Sequence, residues 1–158
     1  MKNLRIILVF FMLSFLFSCS HANEKQQEHQ HENKQENLEM KEEKIETALV
    51  LNNGEKWPAD DATRSTFSKM ESELKTFAEN TTEPKIKDYN ALGENLQKEL
   101  DILFKTCSMD GEAHEQLHTL VALIIGDVSS LRKSNETVAA EAYKKLPQHF
   151  KMFHEYFN

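Results

Sequence analysis

Apolar residues recur at three- and four-residue spacing in four separate runs, and this periodicity constrains the fold more than any other feature of the chain. Phe67, Met70, Leu74 and Phe77 form the first stripe. Ile86, Tyr89, Leu92, Leu96, Leu100, Leu103 and Cys107 form the second. His114, Leu117, Val121, Ile124, Val128 and Leu131 form the third, and Ala139, Ala142, Leu146, Phe150, Phe153 and Phe157 the fourth. A 3.6-residue period with one apolar face marks amphipathic helices. Trp57-Pro58-Ala59-Asp60-Asp61 leads into the first helix with an aspartate cap and an acidic first turn, and the pattern fades near Glu79. Asn80 to Pro84 form the next connection, and the second helix runs from about Lys85 or Asp88 to Cys107. Asp110-Gly111 opens the third, and Ser134-Asn135 caps the fourth, which covers Glu136 to Tyr156. Pro147 lies inside that helix and predicts a kink. Glycine is scarce and only 3 prolines occur, against a loop-rich β fold. Connections this short make neighbours antiparallel. The expected fold is all-α: an up-down-up-down four-helix bundle over residues 49–158, a length that suits one core.

That topology gathers distant residues at one end. The start of the first helix, the turn between the second and third, and the end of the fourth come together there. This end carries Trp57, Cys107, Met109, His114, His118, His149 and His154, while the turns at the other end have no cysteine, histidine or methionine.

Residues 1–18 read as a targeting segment and stand outside the fold. Lys2 and Arg5 precede an almost wholly apolar run, Ile6 to Phe17, which is shorter than the ~20 residues a transmembrane helix needs. The run ends in Leu16-Phe17-Ser18-Cys19, which resembles a bacterial lipobox, with Phe17 bulkier than the pattern usually carries. The resemblance implies lipid attachment at Cys19, a membrane partner, and a domain held at the cell envelope, in the periplasm or at the cell surface. The alternative is an ordinary cleaved signal peptide. With Cys19 acylated, Cys107 is the one remaining thiol and no internal disulfide forms. Residues 19–48 make a polar tether rich in Glu, Gln, Lys, Asn and His, too poor in apolar surface to offset its ordering entropy. Its end, Asn37 to Leu49, is compatible with a fraying helix. His21, His29 and His31 form a short histidine-bearing run that reads as spacer or as a weak metal collector. A formal charge of −7 argues against nucleic acid as a partner.

Cys107-Ser108-Met109-Asp110-Gly111-Glu112-Ala113-His114-Glu115-Gln116-Leu117-His118 places a thiol, a thioether and two imidazoles at one turn. His114 and His118 are four apart and share a helical face. A mixed sulfur and nitrogen set suits copper, whereas zinc favours Cys and His with water or carboxylate in place of Met. Cys107 is the candidate thiolate anchor, Met109 and His118 are candidate ligands, His114 is a ligand or the residue that supports one, and Asp110, Glu112 and Glu115 are the neighbouring oxygens. Each residue also has a plain packing role: Cys107 as a small hydrophobe, Met109 as a plug, His114 as a core histidine, Trp57 as a lid. His149 and His154 group with Phe150 and Phe153 as an aromatic layer. Catalysis finds little support. A Cys–His pair lacks a nameable third group. Glu115-Gln116-Leu117-His118 matches one half of a di-iron bundle motif with no second half, and no phosphate loop occurs. The chain is not expected to be an enzyme.

From His118 through Ile125-Gly126-Asp127-Val128 and Tyr143 to Phe153-His154-Glu155-Tyr156-Phe157, the last helix pair resembles the cytochrome b562 and cytochrome c′ group of bundles. That resemblance implies haem as an alternative cofactor, with His154 as an axial ligand. The methionine expected early in the first helix is replaced by Phe67, with Met70 one turn on, and Cys-x-x-Cys-His is absent. The domain also resembles uncharacterised exported bacterial bundle proteins that carry Cys-x-Met and His-x-x-x-His at the central turn.

Overall fold

A computed structural model describes residue 44 and residues 48–158, all within the compact unit Lys41–Asn158. The expected signal peptide, Cys19, the tether with His21, His29 and His31, and nearly all of Asn37 to Leu49 lie outside the described residues. Four helices follow in order: α1 Asp61–Asn80, α2 Ile86–Thr106, α3 Gly111–Leu131 and α4 Glu136–Tyr156. They form the expected four-helix bundle, and the described residues contain no strand, only the isolated bridges Asn52–Glu55 and Trp57–Phe157. No described helix is long and apolar enough to cross a membrane.

Local chemistry sets the helix ends. Asp60 caps α1 by accepting from the Thr63 amide at 2.7 Å, and Asn135 caps α4 by accepting from Val138 at 3.2 Å. α2 stops at Thr106, one residue short of the expected Cys107, which adopts extended backbone with φ −60° and ψ 125°. Gly111, with φ +58°, turns the chain from extended Asp110 into α3, a conformation that favours glycine. α4 runs on as one helix through Pro147.

The apolar stripes meet in one core. Phe67, Met70, Leu96, Leu100, Leu120, Ile124, Val128, Leu131 and Leu146 are fully buried. Aromatic layers close both ends. Phe67 stacks on Phe153 at 3.9 Å between centroids and meets Phe150 edge-on at 6.3 Å, while Phe77, Tyr89 and Tyr143 cluster at the opposite end. The start of α1 lies beside the end of α4, because the Trp57 amide donates to Tyr156 and the Asn158 amide to Trp57 (2.7 and 3.1 Å). The segment before α1 crosses this end as a strap. The Trp57 indole donates to the Val50 carbonyl at 2.7 Å, and the Val50 amide donates to the Gln116 side chain at 2.9 Å. Trp57 is buried beneath the strap, in the lid position.

Candidate metal centre

The site is built on the four-residue turn between α2 and α3. Ser108, between the two sulfur residues, is fastened to the start of α1. The Asp60 carboxylate uses one oxygen for the α1 cap and the other for Ser108, accepting from its amide at 2.5 Å and its hydroxyl at 2.8 Å. Burial pushes the Asp60 carboxyl upward, but the hydrogen bonds from Thr63 and Ser108 outweigh it and hold the group well below the usual carboxylate range. This clamp explains why α2 ends before Cys107: the next amide is given to α1 in place of the helix.

Cys107 Sγ lies 3.7 Å from Nδ1 of His114, and Nε2 of His114 lies 2.8 Å from Nε2 of His118. The two rings meet edge to face, with centroids 4.4 Å apart and planes at 72°. A neutral His114 serves both neighbours at once, since one ring nitrogen carries the proton and the other a lone pair. Burial falls along this row: Cys107 and His114 are half-buried and His118 is exposed. The two nitrogens of His114 face away from each other across the ring. An ion bound at Nδ1 beside Cys107 therefore leaves Nε2–H to donate to His118, the arrangement by which a ligand imidazole is usually oriented. With bonds as long as those of zinc to sulfur and nitrogen, about 2.3 and 2.05 Å, a tetrahedral angle separates the donors by about 3.6 Å and a trigonal one by about 3.8 Å, so the observed spacing suits three or four ligands.

Met109 is turned toward α1, where its sulfur accepts from the buried Thr63 hydroxyl at 3.6 Å. Among the described residues, no three His, Cys, Asp or Glu groups are arranged to hold one ion. The structure thus brings Cys107, His114 and His118 into a row, with Met109 beside it against another helix.

The other histidines are engaged elsewhere. His149 is buried, and its Nδ1 lies 2.6 Å from the Asp127 carboxylate, also buried, within the α3–α4 seam. His154 is exposed and meets Glu71 at 2.6 Å across the α1–α4 seam. There it borders a groove of about 420 Å³ walled also by Leu74, Lys75, Tyr143 and Pro147. Met70 is fully buried and is not part of that groove, and Phe67 is filled in against Phe153.

Three participants escaped the sequence reading. Asp60 reads as a cap, but its second arm to Ser108 spans 48 residues and has no local signal. Thr63 lies outside the apolar stripe of α1, yet it is fully buried. Asp127 entered only through the stretch that resembles the cytochrome b562 group, with no role of its own; it lies three residues beyond Ile124 and four before Leu131, on the buried side of α3. That phase was the available clue, with His149 as the only acid-pairing residue at matching depth in α4. Comparison of the chain with protein-family models, curated proteins and solved structures returns no match.

Proposed function

We propose that the bundle binds a soft transition metal, copper(I) above all, at the α2–α3 turn, and buffers it or hands it on without catalysing a reaction. The observation that carries this reading is the 3.7 Å approach of the Cys107 thiol to His114 Nδ1. Cys107 is the thiolate anchor and His114 the imidazole ligand. His118 accepts from the far nitrogen and fixes the ring. Met109, two residues from the anchor, is the neighbouring soft donor for a third position once its sulfur leaves Thr63. Copper(I) is stable with two or three soft ligands, whereas a structural zinc site asks for four. The small donor set therefore favours copper. The lipobox-like Leu16-Phe17-Ser18-Cys19 supports a lipid-anchored location at the cell envelope, where copper handover needs an exposed edge, and His118 supplies one.

The test is a copper(I) competition titration on the full chain carrying Cys19→Ser, so that Cys107 is its one thiol. One ion per chain, lost in Cys107→Ala, is the expected result. Equal uptake by the two chains overturns the assignment. Haem draws no support from the positions of Met70 and His154, and the same preparation checks it: no Soret band is expected on adding haemin.

A further inference from the structure

Ser108 separates the two sulfur residues, and its backbone is not free to follow them. Its amide and hydroxyl both end on Oδ2 of Asp60, while Oδ1 of the same carboxylate caps α1 at Thr63. One turn into α1, the Thr63 hydroxyl holds the Met109 sulfur. The first turn of α1 therefore fixes the residue between Cys107 and Met109 and one of the two sulfurs as well. The α2 helix contributes only the Cys107 amide bond to Leu103, at 2.9 Å. Without the Asp60 arm, the polar ties of the turn to α1 reduce to the weak hydroxyl–sulfur contact of Thr63, beside the packing of Cys107 and Met109 on the core.

We propose that Asp60 is the positioning residue of the metal centre, a carboxylate that touches no ion but aims Cys107 at His114 by clamping Ser108 to the start of α1. This inference rests on the copper reading above. The clamp makes loading of the α2–α3 turn depend on the docking of α1, so the site is assembled only in the closed bundle. A ligand pair held by a charge-assisted hydrogen bond loses affinity when that support is removed, by about 10- to 100-fold in metal sites.

Asparagine separates the two duties of Asp60. Its single oxygen still caps α1, since Asn and Asp are equivalent caps, but its amide group presents N–H to the Ser108 N–H. Copper(I) affinity and melting temperature are measured for the Cys19→Ser chain and for Asp60→Asn, Ser108→Ala and Asp60→Ala in that background. The ring-nitrogen NMR shifts of His114 are recorded without metal. Asp60→Asn is expected to move the His114 Nδ1 shift, to weaken copper about 10- to 100-fold, and to melt lower than the parent but higher than Asp60→Ala, because it keeps the α1 cap. Ser108→Ala keeps the charge and the amide bond and falls between wild type and Asp60→Asn. Asp60→Ala loses affinity and, without the cap to Thr63, melts lowest of the set. An unmoved His114 shift in Asp60→Asn, or copper affinity equal to wild type, overturns the role of Asp60 alone. A parent chain that takes up no copper overturns the functional reading, and this role with it.

Discussion

His149→Leu removes the imidazole from a buried pair and leaves the Asp127 carboxylate in the core without it. Both residues are 3 % exposed and their polar atoms are 2.6 Å apart. Taking one partner from a buried pair costs about 3–5 kcal/mol, because the remaining group keeps its desolvation penalty. Both residues have a further interaction besides this one, so the lower end, about 3 kcal/mol, is the expected loss. With an unfolding entropy of about 2.1 cal/mol/K per residue over roughly 110 residues, that loss lowers the melting temperature by about 13 °C. Replacing both residues by leucine removes the carboxylate as well, and the double variant is expected to regain part of the loss, since the further partners of both residues are still given up. Thermal and urea unfolding of the two single variants and the double variant give the coupling directly. A single variant within about 1 kcal/mol of wild type, with no recovery in the double, refutes the reasoning.

His118→Ala keeps the Cys107–His114 ligand pair and loses its orienting partner, so copper(I) affinity falls about tenfold and stoichiometry stays at one, read by competition titration. Acid exposes the Asp60 clamp. Its folded pKa is depressed, so its contribution is complete above the ordinary carboxylate value and is lost as pH falls from about 4 toward the folded value. Asp60→Asn should flatten that limb of an acid denaturation curve, and an unchanged limb contradicts it. At Gly93 a Cβ would sit 2.7 Å from Arg132 Cγ and 3.0 Å from Leu131 Cβ. Crowding of about 1–3 kcal/mol outweighs a helix-propensity gain of about 1, so Gly93→Ala is expected to lower urea stability slightly, and a stabilised variant refutes the crowding.

The bundle was legible because each stripe is continuous: Phe67, Met70 and Leu74, or Leu96, Leu100 and Leu103, read as core from spacing alone and are buried. Cap chemistry placed the starts of α1 and α4, since Asp60 and Asn135 act on amides three residues away. That Cys107 and His114 lie near each other was legible too, because they are seven residues apart across one turn, but the 3.7 Å approach of sulfur to Nδ1 was not. What sequence could not show was the second use of a residue already explained. Asp60 satisfies its local role, and nothing in its neighbours announces Ser108. Asp127 is charged, and period-based reading sends a charge outward unless a buried partner is known. His149 sat in an apolar stripe between Leu146 and Phe150, which suggested aromatic packing, and only the three-dimensional register of α3 against α4 supplied the carboxylate. The divergence of the two His114 nitrogens depends on ring orientation, which spacing does not encode.

Copper K-edge absorption on the stoichiometrically loaded Cys19→Ser chain tests the central claim most directly, because it counts the sulfur and nitrogen atoms around the ion. A short copper–sulfur shell with an imidazole nitrogen, the imidazole vanishing in His114→Ala, is the predicted spectrum, and Cys107→Ala is expected not to load. A sulfur-free shell, or one that Cys107→Ala leaves intact, contradicts a centre built on the α2–α3 turn.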